Sequence, residues 1–203
     1  RRYQTRGIDQ QWQADLVEMQ PFAKFNNGKR YLLTVLDIFS RYAWAEPLKD
    51  KTGPEVAAAL ERIFKRDGRV PVLLQTDQGH EFYNRHVNNL LQQYNVELFS
   101  VFSPFKAALV ERFNKTLKER MYRLFTYQGS YQWVTALQDL VRGYNASKHR
   151  GLKGRTPENV TKANEGNIWL EQYGDLKEGS NTRAKFKVGD RVRISKVKGT
   201  FAR

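Results

Sequence analysis

Apolar positions in the first fifty residues alternate with polar ones or run in short blocks, a spacing of strands rather than helices. Residues 12–19, 30–39 and 42–48 carry this pattern. Asn26-Asn-Gly28 marks a turn between the first two stretches, and Ser40-Arg41 a tight one before the third. The three are expected to form an antiparallel meander.

The period then changes. After Gly53-Pro54 the apolar residues Val56, Leu60, Ile63 and Phe64 recur at helical spacing, with Pro54 suited to a first turn and Asp67-Gly68 to the stop. Residues 70–76 form a short apolar strand that ends in Asp77. A helix over 84–94, a strand over 96–99 and a linker over 100–106 follow. From 107 to 127 runs the most regular helical pattern, with Val110, Phe113, Leu117, Met121 and Leu124 in one stripe and Glu111, Lys115 and Lys118 on another face. A second helix is expected over 131–146, with Val134, Leu137, Leu140 and Val141 inward, and a short one near Thr156-Pro157. Three antiparallel strands followed by alternating helices and strands predict an α/β fold, a mixed five-stranded sheet with helices on both faces.

The ends read differently. Residues 1–10 are polar and basic and are expected to be an arm, leaving a core over 11–164. The glycines and sparse apolar residues of 165–182 suggest a linker. Residues 183–203 alternate basic and apolar positions around Gly189-Asp190, as the start of a small β module would.

Composition narrows the partner. Lys and Arg number 35 against 21 Asp and Glu, a formal charge of +14, so a polyanion is expected and nucleic acid is the first choice. No apolar run approaches the roughly 18 to 20 residues of a spanning helix, which disfavours a membrane. With no cysteine the chain has no disulfide, no thiol nucleophile and no thiolate metal site.

That leaves carboxylates as the candidate chemistry. Asp15, Asp77 and Glu111 sit in three separate segments, each beside or within an apolar run, where folding could bring them to one edge of the sheet. Oxygen ligands of this kind suit hard cations such as Mg2+, and two ions about 3.5 to 4 Å apart stabilise both oxygens of an in-line phosphoryl displacement. Taken singly, each acid also has an ordinary reading: an exposed strand residue, a turn residue, a first-turn helix acid.

Three motifs carry a resemblance. Trp12-Gln-Ala-Asp15, Thr76-Asp-Gln-Gly-His-Glu-Phe82 and Lys106-Ala-Ala-Leu-Val-Glu-Arg-Phe-Asn-Lys-Thr-Leu-Lys118 resemble the acidic motifs of the DDE integrase core, most of all that of Maverick/Polinton transposons. The resemblance implies a ribonuclease-H-like fold over about residues 10 to 160. It implies that Asp15, Asp77 and Glu111 are catalytic and hold two Mg2+ or Mn2+ ions. The activity it implies is cleavage at an element end followed by attack of the freed 3'-OH on target DNA. It further implies a homo-oligomer, at least a dimer when two ends are joined, and a nuclear location in a eukaryotic host.

Asn114, Lys115 and Lys118 match positions where retroviral cores also carry Asn, Lys and Lys, the lysines facing the donor DNA end. The segment containing Phe186-Lys-Val-Gly-Asp-Arg-Val-Arg-Ile194 resembles the opening of an SH3-like or chromodomain-like module, which makes Arg183, Lys185, Lys187, Arg191 and Arg193 candidate phosphate contacts. The interval between Asp77 and Glu111 is two residues shorter than in retroviral cores, a difference expected to fall in the loop around 103–105. Two rival functions remain: an integrase-derived DNA-binding protein without catalysis, and a ribonuclease-H-like nuclease acting on RNA–DNA hybrids.

Overall fold

The computed structural model describes residues 5–101, 107–174 and 189–191. Five strands form one mixed sheet: β1 (Gln11–Glu18), β2 (Tyr31–Asp37), β3 (Ala43–Leu48), β4 (Leu73–Thr76) and β5 (Glu97–Ser100), in the order β3-β2-β1-β4-β5. The meander expected from the first fifty residues is there, with β1 antiparallel to β2 and β2 to β3. β4 and β5 run parallel to β1, each reached through a helical crossover. With two strands on either side, β1 is the middle of the sheet.

Helices cover both faces. α1 (Gly53–Asp67) and α2 (Arg85–Gln93) pack on one side over Trp12, Leu33, Val35, Trp44 and Leu74. α3 (Ala108–Gln128) and α4 (Leu137–Asn145) pack on the other over Val17, Leu32, Leu36 and Ala45. α1 and α3 each stop at a glycine in the left-handed region, Gly68 at φ 61° and Gly129 at φ 60°, a conformation that a Cβ disfavours. Trp12, Trp44 and Trp133 are fully buried, the first two with ring centroids 4.2 Å apart, so these three tryptophans are core.

Three expectations need correction. The helix expected over 131–146 begins only at Leu137, because the buried Asn26 takes over the preceding backbone. Its Oδ1 accepts from the N–H groups of Trp133 and Val134, and its Nδ2 donates to the carbonyls of Phe22 and Tyr131. Residues 165–173, read as the start of a linker, form helix α5 (Glu165–Tyr173), which buries Ile168 and Tyr173 against Ile8, Phe39, Leu152 and Val160. Residues 5–10, part of the segment expected to be a basic arm, are docked on that helix. The Trp169 indole donates to Thr5 O and the Ile8 N–H to Glu165 Oε2. The rest of the expected linker, 175–182, and the basic segment except 189–191 lie outside the described residues.

The free edge at β3 is closed by side chains. The Asn145 amide pairs with both N–H and C=O of Ala43 at 2.9 Å, and Gln138 Nε2 donates to Ala45 O. An edge strand with its backbone groups so occupied cannot recruit another strand there.

Candidate active site

The alternation of β1 decides which residues can meet. Trp12, Ala14 and Leu16 face α1, so Gln13, Asp15 and Val17 face α3. Asp15 lies opposite Thr34 of β2. Its carboxylate accepts the Leu16 N–H at 2.8 Å and Asn114 Nδ2 at 2.7 Å.

Asp77 arrives from the neighbouring strand. The parallel ladder pairs Gln13 with Gln75, and the same offset carried two residues further sets Asp77 abreast of Asp15. Adjacent strands are about 4.8 Å apart. Asp77 is exposed, immediately past the last residue of β4. Glu111 is exposed in the first turn of α3, one turn before Asn114.

Electrostatics ties the three acids together. Burial pushes the Asp15 carboxyl up to about 6, and the negative charges of Asp77 and Glu111 add to the rise against the two hydrogen bonds that favour the anion. Like charges gathered at one place are relieved by a proton or a cation. Among the described residues, however, no three His, Asp or Glu side chains stand as a group ready to hold a metal ion. The acids share one field without forming a closed chelate.

The donor chemistry nonetheless fits a hard divalent cation: three carboxylates from three segments, with no sulfur. Beside them Asn114 is 8% exposed, and its Oδ1 is buried without a hydrogen-bond partner while its Nδ2 holds Asp15. A further polar ligand would satisfy that oxygen.

Reasoning from sequence passed over Gln13, which holds the site's geometry. Its Oε1 accepts the N–H groups of Leu109 and Val110 at 3.2 and 3.1 Å, and its Nε2 donates to Gln75 Oε1 at 3.1 Å. One buried amide thus docks the first turn of α3, with Glu111 in it, onto the strand that carries Asp15. The signal was available, since a glutamine two residues before Asp15 on a buried strand needs partners. Gln13→Ala is expected to lower stability by about 2 kcal/mol, the scale of buried donors left unmet, in urea titrations. It should also reduce any metal-dependent activity more than the loss of folded protein explains.

The other candidates separate cleanly. Asn114, Lys115 and Lys118 line one groove with Glu111, Glu119 and Tyr122. Arg191 is exposed, whereas Arg183, Lys185, Lys187 and Arg193 lie outside the described residues. Asp37, the other acid near the start of the sheet, is fully buried and paired with Arg69, so its role is structural. His80 is exposed and Glu81 half-buried, and the N-cap of α2 is Asn84, whose Oδ1 accepts from His86 and Val87 N–H.

His149 stacks edge-on against Tyr144 with centroids 4.6 Å apart. Burial holds its imidazole below the usual histidine range, and the nearby Arg41 and Arg120 lower it further. A depressed folded-state value stabilises the fold above the unfolded value near 6.5, and that contribution is lost as pH falls through the folded value. Asp15, whose value is raised, acts in the opposite sense. The diagnostic is therefore the difference between the parent and His149→Gln: the gap in urea midpoint should narrow between pH 7.5 and pH 5.5.

Comparisons with known proteins bear on both the family and the fold. Residues 6–100 match the integrase core domain, a span that includes Asp15 and Asp77 and ends before Glu111. A transposon-derived protein of Caenorhabditis elegans is 39% identical over 183 residues, covering 90% of this chain and 61% of the worm protein. The Gag-Pol polyprotein of feline leukemia virus is 34% identical over 149 residues, covering 72% of this chain and 8% of the polyprotein. The chain thus spans about three fifths of the first relative and less than a tenth of the second.

Among solved structures, the HTLV-2 integrase catalytic core domain in complex with magnesium, in its trimeric form, superposes with a TM-score of 0.63 at 20% identity, over 75% of this chain and 95% of that one. A chain of the simian T-cell lymphotropic virus intasome in complex with PP2A regulatory subunit B56 gamma gives 0.65 at 21% identity, over 75% and 54%. The sheet and its helices have the ribonuclease-H-like fold of integrase cores.

Proposed function

We propose, from the integrase core domain match in residues 6–100 and the ribonuclease-H-like sheet around it, that this chain is the catalytic core of a transposon integrase. It cleaves phosphodiester bonds at element ends and joins the resulting 3'-OH to target DNA. The observation that carries this reading is the Asp15 carboxyl, set on the middle strand within the fields of both Asp77 and Glu111.

In this reading Asp15, Asp77 and Glu111 hold two Mg2+ or Mn2+ ions. Bound there, such ions would lower the pKa of an attacking hydroxyl and stabilise the leaving 3' oxygen. Asn114 fixes the Asp15 carboxylate through its amide, and Gln13 fixes the helix turn that presents Glu111. Lys115 and Lys118 neutralise phosphates of the donor strand along α3, without reading its sequence.

The finer assignment is to a Maverick/Polinton element, acting in the nucleus of its host on element ends and a target duplex. The motif resemblance supports it, and the transposon-derived relative with 39% identity supports a transposon origin without pointing to one element. Two ends joined together require at least a dimer, and the basic segment with Arg183, Lys185, Lys187, Arg191 and Arg193 would add phosphate contacts.

A joining assay tests the proposal. A labelled duplex with a free 3'-OH is incubated with a plasmid and Mn2+, beside an RNA–DNA hybrid. Joined product without hybrid hydrolysis supports the integrase. Hybrid hydrolysis without joining assigns a ribonuclease-H-like nuclease, and DNA binding without either reaction assigns a non-catalytic derivative.

A further inference from the structure

The face of α3 that bears Lys115 and Lys118 continues past them. A groove of about 460 Å3 runs along the helix from Glu111 through Lys118 to Tyr122. At 1.5 Å per residue Tyr122 lies ~16 Å beyond Glu111 along the axis.

Tyr122 opens an aromatic cluster that grows out of the core onto the surface. Its ring meets Phe22 and Phe125 edge-on at 6.4 and 5.9 Å. Phe22 stacks on Tyr131 at 5.4 Å, and Phe25 stands 5.4 Å from Tyr131. Phe125 is buried and Phe22 half-buried, whereas Tyr122, Tyr131 and Phe25 are 54%, 50% and 38% exposed. Lys24 Nζ lies 4.9 Å from the centre of the Phe25 ring. Rings braced by other rings and left in water mark a contact surface, and here the surface is continuous with a groove whose lysines suit phosphates.

Resting on the integrase reading above, we propose that Tyr122, Tyr131 and Phe25 form a stacking platform for unpaired bases of the DNA strand that leaves the acid site along α3. Cations that follow a backbone, next to rings that accept any base, are the composition of single-strand tracks. A strand advances about 3.4 Å per nucleotide in a duplex, so Tyr122 is roughly five nucleotides from the reacting phosphate. Glu111 and Glu119 balance the two lysines in the groove's lining, but a purely protein partner would use the rings and leave Lys115 and Lys118, which lie between the rings and the acid site, without a role.

The test is binding in EDTA, read by fluorescence anisotropy, to a blunt duplex and to the same duplex with a single-stranded extension of about eight nucleotides, long enough to pass the platform. The paired substitution Tyr122→Ala with Tyr131→Ala is expected to weaken binding of the extended DNA about tenfold or more. Binding of the blunt duplex should stay within about twofold, because phosphate contacts dominate there. Tyr122→Phe with Tyr131→Phe keeps the rings and should bind as the parent does. If the alanine pair melts early, Tyr122→Ser alone carries the same comparison.

Equal losses on both DNAs, or no loss on either, would overturn the inference and leave the integrase reading standing. If the parent binds neither DNA, both fail. Self-association lost with DNA binding unchanged would make the platform a contact between protein copies and overturn the inference.

Discussion

Asp77→Asn and Glu111→Gln are each expected to cut Mn2+-dependent joining by at least about a hundredfold, the scale of losing one key electrostatic group at a reacting phosphate. Both side chains are exposed, and neither carboxylate takes part in the described ion pairs. Exposed positions of this kind usually change stability by less than about 0.5 kcal/mol. The variants should therefore melt with the parent and still bind DNA, so the loss reports chemistry and not folding. Asp15 is a poorer probe, because its carboxylate also holds Leu16 N–H and Asn114. Residual joining above about one per cent in a clean preparation, against the hundredfold loss expected, would count against these acids as the catalytic set.

Asp37→Ala should give the largest loss of stability, about 3 to 5 kcal/mol in urea titrations, the summed cost of leaving several buried donors without an acceptor. The Asp37 side chain is fully buried where β2 turns into β3. It accepts the N–H of Ser40 at 3.0 Å, the Ser40 hydroxyl, the more distant Asp9 and Phe39 N–H groups, and Arg69 Nη2 at 3.3 Å. Arg69 itself is shared with Asp9 and lies over the rings of Tyr42 and Trp44. Removing the carboxylate leaves backbone donors without acceptors in a turn where Arg41 already sits at φ 61°. Burial raises the Asp37 carboxyl above its usual range, against the hydrogen bonds from Ser40 and the charge of Arg69, which lower it. Asp37→Asn should recover part of the loss; equal losses for Ala and Asn would point to the charge instead.

The elements that were legible in the sequence were those whose burial is one-sided or complete. The strands over 12–19, 30–39 and 42–48 and the long helix after 107 are legible because their apolar residues alternate, run as one short block, or keep the helical period. The misreadings share a cause. The start of α4 was overestimated because a single side chain, Asn26, distant in sequence, satisfies the backbone of residues 131–134 and removes the need for helical bonds there. α5 looks like linker in the sequence because Gly166 lies within it and Gly174 ends it, yet burial of Ile168 and Tyr173 suffices when Ile8 and Phe39 lie opposite.

For the site, local sequence determined which residues bear the chemistry: three carboxylates, each held at a strand or helix by the periodicity beside it, in a strongly basic chain without thiols. It also determined the face of Asp15, because alternation along β1 leaves no choice. Tertiary structure alone decided which of these residues became neighbours. The parallel register between β1 and β4 sets Asp77 against Asp15, and the Gln13 amide holds the turn bearing Glu111 to the same strand. Strand register and a side-chain cap depend on partners some sixty to a hundred residues away, and no local period carries that information.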